Sequence, residues 1–515
     1  MNGNLLLLVT LLWFPLLLCA QPVPTYRNPV IPGDFPDPTV IRVGDTYYAA
    51  GTTSDFAPHY PLYQSSDLIN WERIGSVFQE HPAWTSGSFW APELFYHDST
   101  FYVFYTAKRK GDQESCIGVA TTRNLADGFQ DQGILIEWGN EAIDAYVYED
   151  TDSTVYITWK AYGLDPDRPI EILGSALDLE TMKLTGEPFS LTRHDQGWQG
   201  NGDEGQCLVR RGDYYYMFYS TGGCCDNRCD YEVHVSRSKA LQRGWEQYPD
   251  PMMQGGGAWV CTGHGTLVQT PEERYYYLYH AYQADDFEYI GRQGMLDEVV
   301  WGDDGWPYFK YGPIPSLQAP VPREGTQQHR NTTFMDQFTT PDSLKFWQWD
   351  MTIPKPTMKV EGNQLVLTHT EAAAAFLGVS PQAGHYSIET KVGNPAPQAQ
   401  GLSIYGDRAH YLSFLVQNNR LVIQQMKEGV VATLMEQPIS FDGPVYLKAE
   451  SINGRLYQFM WSQNGHDWQV MNEAIPWVDG AYLPRWGTAL RAGLMVGPGT
   501  GSSGAFTYFR MQHHL

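Results

Sequence analysis

The chain has 515 residues and a formal net charge of −24, from 58 acidic and 34 basic side chains. A surface of that charge repels nucleic acid and anionic membranes, so we expect no nucleic-acid partner and favour a neutral ligand or substrate. Aromatic residues make up 14% of the chain, and 50 glycines and 33 prolines suit short strands and tight turns better than long helices. The length exceeds what one core usually serves, so two domains are expected.

The N-terminus has the pattern of an export signal. The first twenty residues are uncharged and contain an apolar run from Leu5 to Leu18. We therefore expect a signal peptide over residues 1–20, cleaved after Ala20, and a periplasmic or extracellular protein, although the segment lacks the usual basic residue. Cys19 allows a lipid anchor, but Leu18 is larger than the residue that normally precedes one. No other stretch reaches the ~20 apolar residues that a membrane-spanning helix needs.

Six cysteines remain once the signal is removed, an even number that permits disulfides in an exported protein. Cys224, Cys225 and Cys229 lie close together but lack paired C-x-x-C spacing, which argues against a zinc site. We expect a disulfide, or packed thiols, in a loop beside the functional cavity.

A short pattern repeats along the first part of the chain, in which an aromatic-rich strand core follows a lead-in residue by ten or eleven positions. The lead-in residues recur at intervals of 54, 53, 60 and 60 residues: Asp37, Ala91, Asp144, Glu204 and His264. Repeats of this length with several short strands each are typical of β-propeller blades. The sequence therefore predicts a five-bladed β-propeller over residues 27–320.

The rhythm changes after the fifth repeat. A stretch rich in proline, glutamine and charge predicts a linker over residues 321–333. Over residues 334–515 alternating strands return without the lead-in residue, as in a two-sheet sandwich. The predicted fold is all-β: a five-bladed propeller followed by a jelly-roll or concanavalin A-like β-sandwich.

The lead-in residues also predict chemistry. The innermost strand of a propeller blade begins at the central axis, so Asp37, Asp144 and Glu204 should meet at one cavity. Buried carboxylates are costly unless they are paired or used. One protonated and one ionised carboxyl in an aromatic-lined pocket are the minimum equipment for hydrolysing a glycosidic bond, and a third carboxylate raises the pKa of the acid by repulsion. The pattern therefore predicts a glycosidase.

Several motifs around these positions resemble those of glycoside hydrolase family 43, five-bladed-propeller enzymes that act on arabinose- and xylose-containing polymers. The resemblance is carried by Phe35-Pro36-Asp37-Pro38, Trp90-Ala91-Pro92-Glu93, Ile143-Asp144-Ala145, Glu204-Gly205, Gly263-His264-Gly265 and Gly291-Arg292-Gln293. The region from Phe334 is similar to the concanavalin A-like sandwich that follows the propeller in many of these enzymes.

The resemblance implies roles for the three carboxylates. Asp37 is expected to be the general base and Glu204 the general acid. Asp144 is expected to orient the acid and raise its pKa. The chemistry itself is expected to need no cofactor.

The resemblance also implies residues that hold the substrate. Trp90, Arg292 and Phe56 are expected to contact the terminal sugar. His264 matches the axial histidine that often helps to hold a calcium ion through water, and a structural histidine without metal is the alternative.

The implied activity is that of an exported, exo-acting, inverting enzyme that releases a terminal pentose from plant cell-wall glycans or oligosaccharides. α-L-Arabinofuranosidase is the first choice, and β-D-xylosidase or a dual activity is the second. A retaining fructosidase on a related propeller is a further hypothesis, but the chain lacks the Arg-Asp-Pro and Glu-Cys motifs of that class. A non-catalytic carbohydrate-binding propeller is the last, and it would not require three carboxylates and an arginine around one axis.

Overall fold

The computed structural model describes residues 23–165, 168–193, 202–225, 229–369, 373–393, 398–471, 476–499 and 501–514. The expected signal over residues 1–20 lies outside these ranges, as does Cys19. Helix is confined, in the described residues, to the α-helix Phe287–Ile290 (α1) and the 3-10 helices Leu125–Asp127 and Pro341–Phe346. No helix in this part of the chain is long and apolar enough to cross a membrane.

The first part of the chain forms five antiparallel blades, preceded by β1 (Thr25–Arg27). The first blade consists of β2 (Thr39–Val43), β3 (Thr46–Ala50), β5 (His59–Ser65) and β6 (Glu72–Phe78), with the short β4 (Phe56–Ala57) outside its sheet. The second blade consists of β7 (Thr85–His97), β8 (Thr100–Arg109), β9 (Ser115–Thr122) and β10 (Gln130–Ile136).

The remaining three blades follow the same order. The third consists of β11 (Glu141–Glu149), β12 (Val155–Asp165), β13 (Arg168–Asp178), β14 (Lys183–Leu184) and β15 (Phe189–Arg193). The fourth consists of β16 (Glu204–Arg211), β17 (Tyr214–Thr221), β18 (Glu232–Ser238) and β19 (Glu246–Gln247). The fifth consists of β20 (Trp259–Gln269), β21 (Tyr275–Gln283), β22 (Arg292–Trp301) and β23 (Pro307–Phe309).

The first strands of the blades form a closed ring. β2 lies against β7, β7 against β11, β11 against β16, β16 against β20, and β20 against β2. The aromatic strand cores fill the spaces between blades; Tyr277, for example, is fully buried between Phe218 and Phe309. β1 pairs with β24 (Gln318–Pro320), which joins the two ends of the propeller segment.

The second part of the chain forms two packed sheets. The larger contains β25 (Thr333–Asp336), β27 (Thr357–Glu361), β28 (Gln364–Thr368), β30 (Tyr386–Val392), β35 (Val445–Ile452), β36 (Leu456–Ser462), β37 (Gln469–Val470), β38 (Val478–Asp479) and β40 (Ser503–His513). The smaller contains β29 (Ala375–Val379), β31 (Gln400–Asp407), β32 (His410–Gln417), β33 (Arg420–Lys427), β34 (Val430–Pro438) and β39 (Arg491–Val496). Alternate residues of both sheets meet in one apolar core, including Leu365, Ile388, Phe414, Leu447 and Phe509. The predicted all-β fold, a five-bladed propeller followed by a sandwich, is confirmed.

The two parts are joined by backbone pairing and by a buried ion pair. β4 of the propeller pairs with β26 (Trp349–Asp350) of the sandwich region. Arg491 of β39 places Nη2 3.0 Å from Oδ2 of Asp34, and both side chains are at most 5% exposed. Because water cannot replace either partner there, the pair holds the sandwich in one position on the propeller.

Arg491→Ala should therefore destabilise the protein by about 3–5 kcal/mol, because it leaves a buried carboxylate without its partner. The measurement is the midpoint of denaturant unfolding. Arg455→Ala is the matched control, since the pair of Arg455 and Asp479 is about half exposed on both sides and should matter little. Equal midpoint shifts in the two variants would contradict the prediction.

Candidate active site

The innermost strand of every blade carries the same irregularity near the axis. In β7, Trp90 pairs with Thr106 and Glu93 with Phe104, so an interval of three residues faces an interval of two. The same mismatch occurs in β11, β16 and β20, and just before β2. Such β-bulges twist the strand and re-aim its side chains.

The first of the two residues between the paired positions of each bulge has a left-handed backbone. These residues, with φ between 38° and 58°, are Asp37, Ala91, Asp144, Gly205 and His264. The equivalent residue in the fourth blade is therefore Gly205, and Glu204 lies one residue earlier, in register with Trp90 of the second blade. In the fourth blade the sequence repeat points to Glu204, one position before Gly205, because Glu204 carries the carboxylate that matches Asp37 and Asp144. The left-handed conformation falls on the glycine.

The bulges bring the predicted residues to one cavity of about 490 Å³. Its lining includes the following six residues named from the sequence: Asp37, Trp90, Asp144, Glu204, His264 and Arg292. The half-buried Trp90 indole has the ammonium of Lys108 5.9 Å from its ring centroid. The site thus combines an aromatic face with three carboxylates and buried cations.

Asp37 is held ionised. Its Oδ1 accepts a hydrogen bond from Nη1 of Arg292 at 2.8 Å and lies 3.4 Å from Nδ1 of His264, while Oδ2 accepts from Oγ1 of Thr52 at 2.7 Å. The backbone N–H of Asp37 donates to Nδ1 of His280, whose pKa burial lowers to about 4. Burial alone would raise the pKa of Asp37, but Arg292 and then His264 outweigh it and hold that pKa well below its ordinary value.

Asp144 and Glu204 have opposite electrostatic environments. Both oxygens of Glu204 accept hydrogen bonds, from Nζ of Lys160 at 2.7 Å and from the hydroxyl of Tyr231 at 2.9 Å. Burial would raise the pKa of Glu204, but the Lys160 ammonium lowers it below the ordinary value. Burial, and then the charge of Glu204, raise the pKa of Asp144 to about 7. The raised pKa expected of Glu204 is therefore found on Asp144, and near neutral pH the pair holds one proton.

Asp144 is fixed beside Glu204 by the backbone. Its Oδ2 accepts from the N–H of Gly205 at 3.2 Å, and its own N–H donates to Oγ1 of Thr106 at 3.2 Å. The two carboxyls are thus held on neighbouring strands, β11 and β16, at the same level of the axis.

Nothing in the described ranges forms a group of three or more His, Cys, Asp or Glu side chains arranged to hold a metal ion. The Nδ1 atom of His264 lies 3.4 Å from a carboxylate oxygen of Asp37 and 3.8 Å from one of Asp144. That nitrogen faces the carboxylates of Asp37 and Asp144. Calcium held through water at His264 stays a prediction.

Phe56 lies outside the lining of the cavity that the other predicted residues share. It is 3% exposed, and its ring packs under the guanidinium of Arg491 at 4.4 Å and against Tyr405. The pairing of β4 with β26 turns this phenyl ring into the interface with the sandwich. The neighbouring Ser54 and Asp55 reach the cavity instead.

One wall of the cavity comes from the sandwich, through a turn that the sequence reasoning did not single out. Trp486 stands at this turn, 64% exposed, and lines the cavity. It is flanked by two anchored residues: Arg485 pairs with Oδ2 of Asp55 at 2.7 Å, and the N–H of Gly487 donates to the carbonyl of Cys225 at 3.1 Å. Two other tryptophans of the sandwich region, Trp347 and Trp349, are buried. A tryptophan in this region is therefore no signal by itself, and composition does not single out Trp486 as a cavity residue.

A disulfide between adjacent cysteines, Cys224 and Cys225, lines the same cavity. A second disulfide joins Cys229 to Cys261, which lies at another irregularity of β20, between Val260 and Gly263. The expected disulfide beside the cavity is present.

Comparison with known proteins gives the family. The model of glycosyl hydrolases family 43 matches residues 26–307. The chain belongs to glycoside hydrolase family 43. A second model, of the β-xylosidase C-terminal concanavalin A-like domain, matches residues 335–498. The protein is therefore a glycoside hydrolase, and family 43 chemistry needs no cofactor.

Curated family members are similar over most of their length. A non-reducing end α-L-arabinofuranosidase of Bacteroides ovatus is 27% identical over 471 residues, covering 84% of each chain. A xylan 1,3-β-xylosidase of a Vibrio species is 25% identical over 499 residues, covering 88% of this chain and 91% of the relative. The crystal structure of a xylan β-1,4-xylosidase from Bacillus halodurans has the same fold, with a TM-score of 0.83 at 24% identity, and covers 95% of this chain and all of that one.

Gly205→Ala should lower kcat/KM by at least about tenfold, because small misplacements at a reacting centre can cost about 10²-fold. A Cβ at this position would lie 2.6 Å from Cγ of His264, at φ +58°. Gly212→Ala is the control, with φ +60° but no atom within 4 Å. Both variants carry the strain of a positive φ, Gly205→Ala adds the contact with His264, and only Gly205→Ala should lose activity; equal activities would contradict the prediction.

Proposed function

We propose that this enzyme is an exo-acting, inverting glycosidase that releases one terminal pentose at a time. The observation that carries the proposal is the contrast within one cavity between Asp37, held ionised by Arg292, and the pair of Asp144 and Glu204, which retains a proton near neutral pH. Inverting hydrolysis needs an ionised carboxylate and a protonated carboxyl at the same time.

Asp37 is proposed as the general base. An inverting enzyme uses its base to take a proton from the water that attacks the anomeric carbon. Arg292 keeps this carboxylate ionised, and Thr52 fixes its second oxygen. A water on that side of the sugar would therefore meet a base that is ready at any ordinary pH.

Glu204 is proposed as the general acid, and Asp144 as the residue that supplies its proton. The acid must give its proton to the glycosidic oxygen as the bond to the anomeric carbon breaks. Repulsion between the two buried carboxylates keeps one proton in the pair. After the leaving group departs with that proton, solvent restores it.

The shape of the cavity supports action at chain ends. Trp486 and the Cys224–Cys225 disulfide both contribute to its lining, and the turn that carries Trp486 is tied to the propeller by Arg485 and Gly487. A cavity with walls from both domains suits a terminal sugar better than the middle of a polymer. Trp90 would stack on that sugar, and Arg292 would hydrogen-bond to its hydroxyls.

The sugar is proposed to be α-L-arabinofuranose, with β-D-xylose, or both, as the alternative. Of the two relatives that are similar over most of their length, one is named as an α-L-arabinofuranosidase and the other as a xylan 1,3-β-xylosidase. We further propose export from the cell, because residues 1–20 have the composition of a signal peptide.

The proposal is tested with nitrophenyl α-L-arabinofuranoside and β-D-xyloside, followed by arabinan, arabinoxylan and xyloglucan fragments. We expect release of a single pentose, with inversion at the anomeric carbon visible by NMR in the first product formed. Retention would contradict the proposal, because it requires carboxyls ~5–5.5 Å apart rather than the ~6.5–9.5 Å of inverting enzymes.

Glu204→Gln should reduce hydrolysis of unactivated oligosaccharides by about 10²–10⁴-fold, the usual contribution of a general acid. Nitrophenyl substrates, whose leaving group needs less protonation, should lose less. Glu93→Gln is the matched control, since burial raises the pKa of Glu93 to about 8 and the amide replaces a neutral carboxyl. Full activity of Glu204→Gln on oligosaccharides would reject this residue as the acid.

The pH dependence of kcat/KM should be set by the pair on the alkaline side. The pKa of Asp144 is raised to about 7, so the shared proton is lost, and activity falls, as the pH rises through this value. Asp37 has a lowered pKa, so the base stays ionised and the acid limb lies at low pH. Rates measured from about pH 4 to 9, with unfolding followed in parallel, check this; an alkaline limb that starts only above the range would contradict it.

A further inference from the structure

Lys160 is a buried cation of the cavity to which the proposed mechanism gives no function. It lies on β12, in register with Ile143 of β11, the residue before Asp144. It is 8% exposed, and its Nζ is 2.7 Å from Oε2 of Glu204. A buried ammonium is costly unless it is paired. Its position therefore needs an explanation in terms of the carboxylates beside it.

The ammonium of Lys160 remains charged throughout the ordinary pH range. Burial lowers its pKa, but Glu204, then Glu141 and Asp144, outweigh burial and raise it above the ordinary value. A permanent positive charge in contact with one member of a carboxyl pair favours ionisation of that member. The proton of the pair then resides on the other member.

This arrangement conflicts with proton donation in the free enzyme. An ionised carboxylate only accepts hydrogen bonds. Glu204 accepts one at each oxygen, from Lys160 and from Tyr231. A glycosidic oxygen that approaches this carboxylate would find no proton to take. Something must change when the substrate binds.

We propose that Lys160 is a positioning residue that keeps Glu204 ionised in the free enzyme, stores the shared proton on Asp144, and lets it pass to Glu204 when the leaving-group sugar draws the ammonium away. The inference rests on the proposed role of Glu204 as the acid. Solvent water in the cavity that both carboxyls line carries the proton: the O–H bond of Asp144 breaks as that of Glu204 forms, which leaves Asp144 ionised. Glu204 then gives the proton to the glycosidic oxygen as the C–O bond breaks.

Other charged or titratable groups also face the pair. They come from the segment before β2, from β11, from the segment before β18, and from β20 and β22: Asp37, Glu141, Tyr231, His264 and Arg292. Arg292 is engaged by Asp37. In the described part of the chain, Lys160 is the lysine or arginine that makes an ion pair with Glu204.

The test compares pH profiles of kcat/KM for Lys160→Met, Lys160→Arg and Lys108→Met. Loss of a charge in contact with the pair should move the alkaline limb of Lys160→Met upward by about 1–3 pH units. Lys160→Arg should keep the limb near its original position, and kcat should fall in Lys160→Met more than KM changes. Lys108→Met removes another cation of the same cavity, one near Trp90, and should move the limb much less.

An unmoved alkaline limb in folded Lys160→Met, with reduced kcat, would overturn the inference and leave Lys160 a structural residue. If Lys160→Met does not fold, infrared spectra of the free enzyme decide the question. Near pH 6 the carboxylic-acid C=O absorption also contains contributions from other buried carboxyls with raised pKa values, such as Glu93 and Asp286. It should lose the intensity of one carboxyl in Asp144→Asn and keep it in Glu204→Gln, where burial still raises the pKa of Asp144; the opposite result overturns the inference. Full activity of Glu204→Gln on oligosaccharides would instead reject the proposed function itself.

Discussion

The active site depends on one backbone device used five times. At each inner strand an extra residue in the left-handed conformation interrupts the ladder next to the axis. For residues other than glycine this conformation is costly and persists only where the surrounding structure enforces it. Here the ring of strands enforces it, because each inner strand is packed against two others. The strain turns side chains that would otherwise point between blades into a common cavity.

The charges of the cavity are arranged in two groups. Arg292 accompanies Asp37, and Lys160 accompanies Glu204, so each cation is assigned to one carboxylate. Among the described residues, no lysine or arginine is in hydrogen-bonding contact with Asp144, and of the three carboxyls it is the one whose pKa rises. One buried site can therefore hold an ionised carboxylate, Asp37, and a protonated carboxyl, Asp144, at the same pH. This separation is the physical basis of the proposed acid and base roles.

Much of this arrangement could be predicted from the sequence, because a repeat of blades is visible as a repeat of residues. The positions that define the axis, Asp37 and Asp144, follow directly from it. The bulge is not visible, so the repeat points to Glu204, one residue before Gly205, which is the structural equivalent of Asp37 and Asp144. The sequence alone does not show whether the carboxylate or the glycine that follows it takes the left-handed conformation.

The remaining differences involve contacts between distant parts of the chain. Phe56 belongs to a loop near the cavity, but its orientation is set by Arg491 and Tyr405, more than 300 residues away. Lys160 lies in the second strand of its blade, where the repeat places no special residue, and only the approach of β16 gives it Glu204 as a partner. No local pattern encodes either contact.

The turn carrying Trp486 makes the sandwich part of the cavity wall. Arg485 of this turn forms an ion pair with Asp55 of the propeller. The N–H of Gly487 donates a hydrogen bond to the carbonyl of Cys225. Without that turn the cavity would lose the part of its wall that Arg485, Trp486 and Gly487 provide. The space open to a ligand is thus shaped in part by a domain that carries none of the three carboxylates.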